Sequence, residues 1–196
     1  MRGIFVAACL LTCLTACSVP VAGTPQPAAS VPHPTSSAAP PPFKSPDKVT
    51  AACPFVGVHD IVAAVGGAWS ATVSEQPPKK DGPFTTYTCV YTSEFHDAAA
   101  FQLFVATGPA DRSPGQMADD WAKQGCTTAA VAIPGAGEKA LYCDLPDATV
   151  DGMPEQVTTV IVAAHSHGES RIAELDLHKI RADVYTKIAT LLAGRL

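Results

Sequence analysis

Thr85-Thr86-Tyr87-Thr88-Cys89-Val90-Tyr91-Thr92-Ser93, TTYTCVYTS, alternates without a break. Successive side chains of a strand point to opposite faces, so Tyr87, Cys89 and Tyr91 share one face, and the threonines with Val90 take the other. This is the clearest strand signal in the chain, and its neighbours read outward from it. On its N-terminal side, Val58 to Val65 is a short helix stopped by Gly66-Gly67. Ala68 to Glu75 is a strand, followed by a loop through Pro77-Pro78-Lys79-Lys80-Asp81-Gly82-Pro83.

On the C-terminal side, Ala99 to Thr107 is a third strand. Ser113-Pro114-Gly115-Gln116 reads as a capping box with proline at the first helical position. The helix it opens runs to Gln124, sets Met117 beside Trp121 one turn on, and ends at Gly125. Thr127 to Ile133 and Lys139 to Cys143 are strands around the turn Pro134-Gly135-Ala136-Gly137. Val157 to His165 and Arg171 to Leu177 form a hairpin. Ile180, Val184, Ile188, Leu191 and Leu192 recur at helical spacing, which predicts an amphipathic C-terminal helix. Strands that run in groups with short turns predict an α+β fold. The expected architecture is one antiparallel sheet of six or seven strands, helices packed on one face, and two disulfides.

Residues 50–196 carry this pattern and are long enough for a single domain with its own core. The first 49 residues differ in kind. Met1-Arg2 is a short positive start, and Gly3 to Ala16 holds no charge. Fourteen residues fall short of the roughly 20 that span a bilayer core, so residues 1–16 read as a secretory signal peptide. Nine of the 18 prolines fall between Ser18 and Pro46, where Lys44 is the sole charge. Such a segment buries too little apolar surface to offset its ordering entropy, so residues 17–49 are expected to be a disordered tether. Removing Arg2 with the signal peptide leaves 12 basic and 18 acidic residues, a net charge of −6 with neutral histidines. A dispersed acidic balance excludes a nucleic-acid grip and an electrostatic hold on anionic lipid.

Cys9 and Cys13 lie within the apolar start, and Cys17 closes it. Cys53, Cys89, Cys126 and Cys143 remain for the domain, an even count that implies disulfides in an exported chain. Locality favours Cys53–Cys89 and Cys126–Cys143. Zinc is the rival, but no C-x2-C pair is present.

Candidate chemistry is sparse. His165-Ser166-His167 would present two imidazoles on one side of a strand and so share a metal, with Glu169 and His178 nearby. Gly168 directly after them argues instead for a solvated hairpin tip, so no metal or other cofactor is expected. Gly135-Ala136-Gly137-Glu138-Lys139-Ala140 matches a dinucleotide motif only in letters, since no βαβ context surrounds it, and reads as a turn. No serine sits in a G-x-S-x-G elbow, and paired cysteines leave no thiol nucleophile. Asp119 and Asp120 point in different directions from one helix and read as a solvated face. Trp69, Phe84, Tyr87, Tyr91 and Trp121 read as ordinary core, with an aromatic-lined pocket between sheet and helices as the alternative.

Leu14-Thr15-Ala16-Cys17 resembles a bacterial lipobox, and the resemblance implies that Cys17 becomes the lipid-modified first residue of the mature chain. With SVPVAGTPQP, the Pro/Ala linker, Cys-Pro-Phe, Thr-Cys-Val-Tyr and IPGAGEKALY, the chain resembles the small secreted lipoproteins of actinobacteria, mycobacterial ones above all. That likeness implies an extracytoplasmic α+β domain held to the cell membrane, and it transfers no catalytic residue. The expected function is a non-enzymatic binding or interaction module of the envelope. Its partners would be the membrane, through Cys17, and an envelope lipid, small ligand or protein. The alternatives are an envelope hydrolase whose site assembles only in three dimensions, and a metal-handling lipoprotein using His165 and His167.

Overall fold

A computed structural model describes residues 43–66, 70–93, 99–145, 148–150, 153–155, 157–178 and 182–196. A seven-stranded antiparallel sheet organises them, with three α-helices, so the fold is α+β. In chain order come α1 (Val58–Val65), β1 (Ala71–Asp81), β2 (Phe84–Ser93) and β3 (Ala99–Gly108), then α2 (Pro114–Gly125). After these follow β4 (Val131–Ala132), β5 (Lys139–Asp144), a small separate hairpin of β6 (Ala148–Val150) and β7 (Met153–Glu155), β8 (Val157–Ser166), β9 (Glu169–His178) and α3 (Ala182–Ala193). The strands lie in the order β1-β2-β3-β9-β8-β5-β4.

The β8–β9 hairpin sits centrally and fixes two faces. Val160 and Val162 of β8, with Ala173, Leu175 and Leu177 of β9, look to one side. Cys89 and Tyr91 join them there, as the alternation of TTYTCVYTS requires. Ile61 of α1 and Val184, Ile188 and Leu192 of α3 close this core. Ile61, Ile188 and Leu192 are fully buried, each worth roughly 1.5–3 kcal/mol of transfer free energy. Ile161, Ala163 and Ile172 look to the other side and meet Met117, Ala118 and Ala122 of α2. The helices therefore do not share one face: α1 and α3 take one side, α2 the other. The reason lies in β8, apolar on both faces, which needs cover on both.

The pairs Cys53–Cys89 and Cys126–Cys143 are disulfides, with Cα atoms 4.8 and 5.8 Å apart. The first ties a short 3-10 turn, Cys53–Phe55, to β2; the second joins the end of α2 to β5. Glu75 of β1 accepts the amides of Ala52 (2.9 Å) and Cys53 (2.7 Å), capping the start of that turn.

Three local expectations change. The strand β1 continues through Pro77-Pro78 to Asp81, where a loop was expected. Its pairing to β2 shifts between Gln76 and Lys79, and an edge strand tolerates prolines at such a bulge. Ser113 flanks α2 without a side-chain cap bond. The strand expected over 127–133 shrinks to two residues.

Residues 43–49, assigned to the tether on composition, pack against the domain. Val49 is buried, Phe43 lies 5.8 Å from the Phe55 ring, and Arg195 stacks over Phe43. The fully buried Arg171 of β9 completes the dock, donating to the carbonyls of Pro46 (2.9 Å), Asp47 (3.0 Å) and Leu196 (3.2 Å).

Candidate functional site

The helix α2 crosses one end of its sheet face and leaves a cleft of about 290 Å³ beside it. From the helix come Met117, Asp120, Trp121 and Gln124. From the sheet come Phe84, Thr86 and Ile172, with Asp81 at the β1–β2 turn. Arg112, in the loop between β3 and α2, closes one side: its guanidinium lies over the Phe84 ring, 5.0 Å from the centroid, and bonds Asp120 at 2.8 Å. Phe84 can sit there because Gly108 lies under it; a Cβ at that position would meet the ring at 2.5 Å. Asp120 also meets Lys123 at 3.4 Å, and Arg112 followed by Lys123 holds its carboxyl below the ordinary carboxylate range. Asp119 pairs with Lys139 of β5 at 2.6 Å. The two aspartates are thus tied to the frame of the cleft, not simply solvated.

Past the reach of α2, the same face turns polar. Glu174 and Asp176 stand two residues apart on β9, hence on one face, with Thr159 of β8 opposite Asp176. The Trp121 indole N–H, which needs a partner once half-buried, donates to Glu174. Burial raises Glu174 well above the usual carboxylate range, and the negative charge of Asp176 raises it further. Burial raises Asp176 as well. The surroundings of Glu174 accordingly favour its protonated, neutral form. A neutral acid thus lies directly behind a wall residue of the cleft.

A second cluster forms where the β8–β9 turn meets the loop before α2. His165 Nδ1 lies 3.1 Å from Glu138 Oε1, and Ser170 Oγ lies 3.1 Å from His165 Nε2. Glu, His and Ser in this order have the connectivity of a catalytic triad. The details favour a clamp. Ser170 is fully buried and its hydroxyl donates at 2.5 Å to the carbonyl of Arg112, so no substrate carbonyl can approach Oγ. His165 Nε2 also faces the Ala110 carbonyl at 3.1 Å, and with Glu138 at Nδ1 both ring nitrogens meet acceptors. The Ala110 carbonyl, first, and Glu138 raise the imidazole above its ordinary value.

His167 does not join this cluster. It occupies the hairpin turn with φ 51°, and its Nδ1 lies 3.1 Å from Asp47. The two imidazoles proposed as a metal pair are engaged separately. Among the described residues, Cys53, Glu75 and Cys89 are the one group of three potential ligands, and its cysteines are joined as a disulfide.

Of the aromatic set, Phe84 and Trp121 border the cleft, Tyr91 is buried in the opposite core with its hydroxyl on the Val56 carbonyl (2.5 Å), and Tyr87 packs against that core. Trp69 and Ile180 lie outside the described residues. Sequence reading missed Glu174, Asp176, Arg112 and Ser170. Only the first two left a trace, as acids alternating with Ala173, Leu175 and Leu177 along one strand.

These features define a disulfide-stapled antiparallel α+β domain with a helix-walled cleft. Comparison with protein-family models, curated proteins and solved structures gives no match.

Proposed function

We propose that the protein is a membrane-anchored, extracytoplasmic binding module of the cell envelope, of the actinobacterial lipoprotein type, that holds a small ligand between α2 and the sheet. The cleft carries this reading: it is concave, part apolar and part polar, and its wall residue Trp121 is bonded to the perturbed acid Glu174 behind it. The lipobox at Cys17 and the Pro-rich segment after it support the anchoring, and the two disulfides suit an oxidising compartment. Two acyl groups on Cys17 would anchor stably where one holds only marginally.

Native mass spectrometry of the full chain, purified from membranes in mild detergent, tests both parts. A retained small-molecule mass that disappears in Trp121→Ala, with unchanged far-UV circular dichroism, is expected. Cys17→Ala should lose the acyl mass and leave the detergent phase; unchanged partitioning ends the anchor.

The Glu138–His165–Ser170 array is the one observation on the side of an envelope hydrolase. As a clamp, Ser170→Ala lowers stability and changes no ester turnover. Loss of turnover of a p-nitrophenyl ester at unchanged stability would favour the enzyme.

A further inference from the structure

Five of the nine residues lining the cleft carry polar groups: Asp81, Thr86, Arg112, Asp120 and Gln124. The other four, Phe84, Met117, Trp121 and Ile172, are apolar and include both aromatic rings. A lipid chain wants a dry apolar slot, and burying it here would strand those polar groups without water. An ionic ligand wants uncompensated charge of the opposite sign. Here Arg112 and Lys123 both sit on Asp120, and the remaining lining charge, Asp81, is exposed and so screened by solvent.

What suits the remaining chemistry is a neutral molecule with an apolar face and a rim of hydroxyls. Each hydroxyl is donor and acceptor at once, and the lining offers both senses: carboxylates that accept, a guanidinium that donates, and an amide and a hydroxyl that do either. The volume sets the size. About 290 Å³ is the low end of the ~300–1,000 Å³ range of small-molecule sites and equals about ten water volumes at ~30 Å³ each, which is room for one substituted ring.

We infer that the cleft between α2 and the sheet is a saccharide subsite, taking one sugar ring of an envelope glycan or a free sugar. The apolar C–H face of the ring lies against Trp121, and its hydroxyls meet Asp81, Asp120, Arg112 and Gln124. This rests on the binding reading above and names its ligand class.

The full chain in detergent is titrated with methyl α-D-glucopyranoside, methyl α-D-mannopyranoside and N-acetyl-D-glucosamine, followed by saturation-transfer NMR and calorimetry. At least one should bind with a Kd on the order of 1 mM, ordinary for a single ring making a handful of hydrogen bonds. Affinity should change less than about twofold between ~50 and ~500 mM salt, because a neutral ligand gives screening nothing to act on. Asp81→Ala, at an exposed position, should weaken binding about tenfold, the loss of one hydrogen bond to a charged group. Trp121→Phe, which keeps a ring in the wall, should lose less affinity than Trp121→Ala.

Binding of agmatine or decanoate in place of every sugar overturns the saccharide assignment, and so does sugar binding indifferent to both Asp81 and Trp121. Should native mass spectrometry retain a Trp121-dependent ligand while no sugar binds, the class is wrong and the binding reading survives. Should neither experiment find a ligand, both fall.

Discussion

At the residue scale, Glu174 shows how position overrules chemistry. A carboxylic acid on a central strand is ionised in the unfolded chain, with the ordinary value of 4.5, and is held neutral once β9 and Trp121 enclose it. The sign of the resulting pH dependence follows from linkage. A folded-state value above the unfolded one means that the native state binds more protons between the two. Stability from Glu174 is full below about pH 4.5 and drains away as pH rises through the folded-state value. Asp176, also raised, pulls the same way. The denaturant midpoint of the wild type is expected to fall from about pH 5 upward through neutrality. Glu174→Gln keeps an acceptor for the Trp121 indole and cannot ionise, so its profile should be flatter and its midpoint higher at alkaline pH. A parallel pair of profiles would show that the buried acid does not control stability.

At the element scale, the loop between β3 and α2 is held from outside by the β8–β9 hairpin. His165 takes the Ala110 carbonyl, Ser170 the Arg112 carbonyl, and Arg112 in turn reaches across the cleft to Asp120. The groups around His165 are Glu138 on the turn before β5, the Ala110 carbonyl and Ser170 of β9; His167 and Asp47 form a separate pair. Because the His165 value is raised, the clamp is fully formed below the ordinary imidazole range and is lost as pH rises through its folded-state value. Hydrogen exchange should therefore report faster opening of residues 110–113 in His165→Ala, several-fold at mildly acidic pH and converging on wild type under alkaline conditions. Equal exchange at acidic pH would rule the clamp out. Gly137 explains why Glu138 arrives in place: at φ 61° it turns the chain so closely on β8 that a Cβ would meet the Ala163 carbonyl at 2.9 Å.

At the scale of the whole molecule, two disulfides and one arginine tie regions far apart in sequence. Loop-closure entropy assigns about 4 kcal/mol to Cys53–Cys89, across 36 residues, and about 3 kcal/mol to Cys126–Cys143, across 17. The double serine variants should lower unfolding free energies in that order, and free-thiol titration of the unreduced, unfolded wild-type domain should find none; four reactive thiols would refute the pairing. Much of this was legible beforehand. Alternation in TTYTCVYTS is a property of the backbone pleat, so it announces a strand and its buried face whatever lies opposite. Cysteine parity and spacing chose the disulfides because chain closure depends on separation. What no local pattern encodes is the company each residue keeps across the sheet. The side taken by α2, the docking of residues 43–49 on Arg171, the acid beneath Trp121 and the Glu138–His165–Ser170 clamp join positions 5 to 126 residues apart. Only the register of β9 between β3 and β8 brings them together, because a strand buried on both faces must find partners for its polar and apolar side chains wherever the fold supplies them.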